Sequence, residues 1–164
     1  MATLNKDNDK TGTKVKKDPS LNRSKNLQEA IDWVVENDAT ENKDRLKYLM
    51  EATAFLENSF GADPTAYDRD YTNSHWSIDQ GFLNDLQTKK DPHYDNVYND
   101  YLSKYEAIDA DRGNLQDLLR NNDERASVIS ARIKYAVSPD PLPDMNADSV
   151  VEYWYKNYNS NPDF

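Results

Sequence analysis

The chain has 164 residues, no cysteine, two histidines and a formal net charge of −10. That length suits one domain with a single modest core, and the missing thiols exclude a disulfide framework or a thiolate metal site. The acidic balance argues against broad nucleic-acid binding, which needs a basic field over the phosphates.

With only His75 and His93 a histidine-rich metal centre is not expected, and nothing in the composition calls for a cofactor. No run approaches the roughly 18 apolar residues of a membrane span. The first residues carry no apolar signal core either, so export by a cleaved signal is not expected. Eleven tyrosines and three tryptophans are many for so polar a chain. Such rings line sugar sites, but they also fill small cores, and most are expected to be core.

Residues 1–23 differ from the rest. Lys6, Lys10, Lys14, Lys16, Lys17 and Arg23 face only Asp7, Asp9 and Asp18, with almost no large apolar side chain. Such a segment cannot bury enough surface to offset its ordering entropy. It reads as a basic flexible arm, ordered only by partners such as neighbouring subunits of an assembly. Residues 24–164 then form the body.

From Ser24, a plausible N-cap, the body becomes helical, with Leu27, Ile31, Val34 and Val35 on one face and Trp33 at its edge. Asn37 to Thr40 breaks the pattern, and Thr40 or Asn42 caps the next helix. There Leu46, Leu49, Met50, Thr53, Leu56 and Phe60 recur at the spacing of a buried stripe. At about 100° per residue, Glu57 falls near the middle of that stripe. Gly61 is the expected left-handed stop. The negative helix C-terminus and the apolar surroundings both resist ionisation there, which suits a general acid. A fraying helix that lets Glu57 reach water, or a pair with Arg132, is the structural alternative.

Ala62 to Ser74 reads as loop, interrupted by Asp63-Pro64 and carrying Tyr67 and Tyr71. A short helix is expected over Ser77–Leu86. Another begins at Asp91-Pro92 and carries the aromatic stripe Tyr94, Val97, Tyr98, Tyr101, Leu102, Tyr105 and Ile108. Leu115, Leu118 and Leu119 make a brief helix after Gly113. Asn122-Asp123-Glu124 caps and charges the start of the next, which turns Ala126, Ile129, Ile133, Ala136 and Val137 inward. Pro139-Asp140-Pro141-Leu142-Pro143 is a stiff connector. A last helix, about Ala147 to Tyr158, buries Val150, Val151, Trp154 and Tyr158. No alternating strand run survives, so the fold class is all-α.

Three segments in order carry a resemblance. The run Thr53 to Gly61, with Glu57 inside it, resembles the catalytic-glutamate motif of lysozyme-like lytic transglycosylases. Trp76-Ser77-Ile78-Asp79-Gln80-Gly81-Phe82-Leu83-Asn84-Asp85-Leu86 resembles the segment that follows it in bacteriophage members. Arg132-Ile133-Lys134-Tyr135, the Pro139–Pro143 connector and Val151-Glu152-Tyr153-Trp154-Tyr155-Lys156-Asn157-Tyr158-Asn159 are similar to their later helices. The resemblance implies a lysozyme-like helical domain in a virion-associated protein that cleaves peptidoglycan in the host envelope, the periplasm.

Carried over residue by residue, the resemblance implies Glu57 as the acid that protonates the glycosidic oxygen and then acts as base. The sugar's own 6-hydroxyl would attack, or water if a second carboxylate helps, with Asp68, Asp70 and Asp79 the candidates. Tyr135 would face the cleft, Trp76 and Ile78 would form its floor, and Tyr71, Ser77 and Asp79 would also meet the glycan. Ser77 stands where relatives carry Gln, Gln80 where they carry Pro, and Ser74 where they carry Gly. Those departures weaken turnover more than fold. They keep open an alternative: a structural or adaptor protein of the phage particle on the same scaffold, its arm threaded into other virion subunits.

Overall fold

The computed structural model describes residues 19–59, 76, 96, 97, 99–101, 103–105, 115–121 and 123–159, with the side chains of 19–22, 116 and 120 left aside. Five helices are bounded: α1 Pro19–Asn37, α2 Lys43–Asn58, α3 Leu115–Arg120, α4 Glu124–Ala136 and α5 Ala147–Asn157. The described part of 96–105 is helical as well, and no strand occurs among the described residues. The all-α expectation holds. The expected arm up to residue 18, the 62–74 loop and the 77–86 helix lie outside the described residues.

α1 starts at Pro19, not at Ser24. Proline is tolerated in a first turn, where its missing N–H would have no intrahelical partner. Leu27, Ile31, Val34 and Val35 are buried as the spacing predicts. The last turn of α1 carries no basic residue. Lys43, at the start of α2, supplies the charge: its ammonium donates to the carbonyls of Val35 at 2.7 Å and Glu36 at 3.1 Å, and to that of Asp38. A cation on those free carbonyls answers the negative end of α1. Asn42 occupies the N-cap position of α2 but makes no side-chain cap bond. The turn before it is held by Asp38 accepting the Thr40 N–H and Thr40 accepting the Asn42 N–H.

α4 lies at the centre, packed on α1, α2 and α3, while α2 also packs on α5. Its sequence reads as one apolar face, yet every side chain from Ala126 to Ile133 is buried. Ala126, Ser127, Ser130 and Ala131 are small enough to let neighbouring helices close on the sides that periodicity assigns to solvent. Asp123 caps it, accepting the Ala126 N–H at 2.9 Å.

The seam of α1, α2 and α4 holds Leu27, Ile31, Val34, Leu46, Leu49 and Met50 with no exposed surface. Each such side chain contributes about 1.5–3 kcal/mol. The exposed Lys25–Glu29 pair, at 3.6 Å, adds at most about 1 kcal/mol. The apolar seam therefore decides the packing.

Two inward assignments are corrected. Leu56 is 40 % exposed and Val151 is 47 % exposed, while Tyr153 takes the buried place on α5. Leu56 sits in the last turn of α2, at the edge of the buried stripe. On α5 the face turned to the core runs through Val150, Tyr153 and Asn157, which leaves Val151 on the flank. Tyr158 is buried, but as the residue that caps α5, not inside it. The Pro139–Pro143 connector is non-helical, as expected.

Candidate functional site

Glu57 lies on the face of α2 that carries Leu46, Met50 and Thr53, and its side chain is half-buried. The helix ends one residue later. The left-handed position is taken by Ser59, at φ 51 and ψ 40, with Gly61 outside the described residues. A non-glycine residue in that region costs of order 1 kcal/mol and persists only where its surroundings hold it. The Ser59 N–H turns back to the carbonyls of Ala54 and Phe55, closing the helix sharply beyond Glu57. Phe55 on the neighbouring flank is 66 % exposed, so apolar surface meets water close to the carboxylate in sequence.

The described polar partner of Glu57 comes from α5. The indole Nε1–H of Trp154 donates to its Oε1 at 2.8 Å. That bond fixes the direction in which the carboxylate points. Periodicity places Trp154 on the inner face of the last helix, and only the packing of α5 on α2 brings it to Glu57. The second carboxylate oxygen has no protein partner among the described residues.

Below Glu57 lies a layer of tyrosines. Thr53, one turn earlier on α2, donates its only hydroxyl hydrogen to the Leu49 carbonyl at 2.8 Å. The Tyr135 hydroxyl, 2.6 Å away, is therefore the donor to Thr53 Oγ1. The Tyr135 ring leans on Tyr153 and Tyr158, with centroids at 5.6 and 5.0 Å. The Tyr158 hydroxyl donates to the backbone carbonyl of Trp76 at 2.6 Å. Burial pushes the Tyr135 and Tyr158 phenols well above the ordinary tyrosine value, and the nearby Glu57 charge pushes the same way. Both stay neutral donors across the physiological range.

The expected site residues are therefore brought together in part. Glu57, Tyr135 and Trp76 belong to one connected cluster through Thr53, Tyr158 and Trp154. Tyr135 is 1 % exposed and Trp76 not at all, so both side chains are enclosed in this structure. Tyr71, Ser77, Ile78 and Asp79 lie outside the described residues, as do Asp68 and Asp70. Arg132, the sequence alternative as a partner for Glu57, is committed elsewhere: its Nε binds Asp38 at 2.8 Å and its Nη2 the Tyr101 hydroxyl at 2.7 Å.

A separate open groove of about 390 Å³ runs between the proline connector and α5. Its Arg45 and Lys156 are paired with Asp144 at 2.9 Å and Asp140 at 2.7 Å, which leaves it little unspent charge. Among the described residues no group of His, Asp and Glu could hold a metal ion, and no helix is long and apolar enough to cross a membrane. Compared with known proteins, the chain matches no family model, no curated protein and no solved structure.

Proposed function

We propose that this chain is a virion-associated, peptidoglycan-cleaving protein of a bacteriophage, a lysozyme-like lytic transglycosylase or muramidase with Glu57 as general acid/base. The observation that carries the reading is one half-buried carboxylate with one oxygen held by an indole N–H and the other unclaimed among the described residues. An acid/base catalyst needs that combination: a fixed orientation and a free oxygen to hand a proton over and take one back. In the cleavage, that oxygen protonates the glycosidic bridge as the bond to the anomeric carbon breaks. It then removes the proton of the sugar's own 6-hydroxyl, or of a water, as that oxygen closes on the anomeric carbon. The resemblance of the Glu57, Trp76 and Arg132–Asn159 segments to phage members of that group supports the same chemistry. Glycan strands are then the substrate and the host envelope the place of action.

A second reading has its own support. The enclosure of Tyr135 and Trp76 suits a structural or adaptor protein of the particle that keeps the scaffold without efficient turnover. A zymogram on purified peptidoglycan separates the two. Clearing by the wild type and none by Glu57→Gln is the expected result. No clearing by the wild type leaves the structural reading.

A further inference from the structure

The C-terminal end of α5 touches two parts of the candidate site at once. Trp154 and Tyr158 stand one helical turn apart, and the Tyr158 N–H bonds the Trp154 carbonyl at 2.8 Å, so the two side chains leave one rigid turn. Trp154 reaches Glu57 on α2, and Tyr158 reaches the backbone of Trp76. Those two targets belong to segments that the sequence resemblance assigns to the acid and to the cleft floor.

We propose that Trp154 and Tyr158 form a two-point clamp through which α5 sets the spacing between the Glu57 carboxylate and the chain at Trp76. Both are positioning residues, and the proposal rests on the reading of Glu57 as the acid/base. The indole bond to a carboxylate is charge-assisted and short, so it restricts the Glu57 rotamer and leaves the opposite oxygen to exchange protons. The Tyr158 ring cannot swing. It packs on Tyr135 at 5.0 Å and carries the Lys134 ammonium 4.3 Å from its centroid. Burial and the Glu57 charge keep its phenol neutral, so it remains an O–H donor to the Trp76 carbonyl. Trp154 is half-buried, unlike Tyr158, and a purely packing role needs neither the N–H nor the O–H.

The test uses the full chain in two measurements. In the first, the indole N–H resonances are assigned with Trp154→Phe, and Glu57→Ala is introduced. The Trp154 signal is expected to move and to exchange faster with solvent; an unmoved signal overturns the clamp. In the second, fragment release from purified peptidoglycan is followed for Trp154→Phe and Tyr158→Phe, with melting curves to confirm folding. Each is expected to lower kcat by about tenfold to a hundredfold, with KM kept within about twofold. The double variant should lose less than the product of the single losses, because the two bonds act as one unit. A folded Trp154→Phe chain that turns over at the wild-type rate overturns the clamp. A wild type that releases nothing overturns the acid/base reading instead, and the indole signal alone then decides whether the contact exists.

Discussion

The molecule holds one buried and one half-buried polar cluster, and they are built on opposite plans. In the first, Asp38 at the end of α1 takes the Arg132 Nε at 2.8 Å, the Tyr105 hydroxyl at 3.3 Å and the Thr40 N–H at 2.8 Å. Arg132 in turn meets the Tyr101 hydroxyl and lies 4.9 Å from that ring's centroid. Every charge there has an opposite charge against it. In the second, Glu57 meets an indole N–H and sits near neutral phenols, with no cation bonded to it among the described residues. A paired buried charge is locked, since releasing either partner strands the other. A carboxylate held only by a neutral donor can lose or gain its proton without leaving a stranded cation. The first plan builds structure, and the second is suited to chemistry.

The sharpest way to break this contrast is Glu57→Gln. Glycan release should fall by about a hundredfold to ten-thousandfold, while the urea midpoint hardly moves, because the amide oxygen still accepts the Trp154 N–H. A large loss of stability with unchanged release would reverse the roles of the clusters. Arg132→Met should do the opposite. It strands the Asp38 carboxylate and is expected to destabilise the fold by about 3–5 kcal/mol, read as a lower urea midpoint.

The same variant carries a pH signature. Burial opposes the Asp38 charge, but Arg132, Thr40 and Tyr105 together hold its carboxyl below the ordinary aspartate value. A depressed carboxyl stabilises the fold above about pH 4 and loses that contribution as the pH falls through the folded value. Without the guanidinium burial is less opposed, so the acid limb of the unfolding profile should move to higher pH. An acid limb identical to that of the wild type would mean that Asp38 finds another counter-charge.

Smaller effects refine the picture. Thr53→Val removes the acceptor of the Tyr135 hydroxyl in a site that is 1 % exposed, and should cost about 1–3 kcal/mol by chemical denaturation. Tyr101→Phe deletes one of the bonds to Arg132 at a half-buried position and should cost about 0.5–1.5 kcal/mol. If Tyr101→Phe proves the costlier of the two, the Arg132 cluster is less self-sufficient than its geometry indicates.

Much of this is legible in the sequence. The stripe of α2 put Glu57 on the inner face, and its half-burial bears that out. Leu27, Ile31, Val34 and Val35 were readable on α1 for the same reason, and the run Asn122-Asp123-Glu124 was readable as the start of α4, with Asp123 chosen as its cap only by the structure. What failed did so where helix ends and neighbours intervene. Leu56 follows the period but lies in the last turn at the stripe's edge. Val151 and Tyr153 flank Val150 on opposite sides of α5, so spacing alone does not choose which of them is buried. The Ser59 stop could not be read, because serine carries no signal for the left-handed region that glycine does.

The order of residues by itself settled the all-helical class, the proline connector and an acidic side chain turned toward the core, since these follow from periodicity and backbone chemistry acting within a few turns. Only the tertiary arrangement decided what each charge meets. Asp38 and Arg132 lie far apart in the chain, as do Glu57 and Trp154, and no local rule links them. Their pairing is set by how α1 packs on α4 and α2 packs on α5. Packing at that distance gave one cluster a counter-charge and the other a neutral donor.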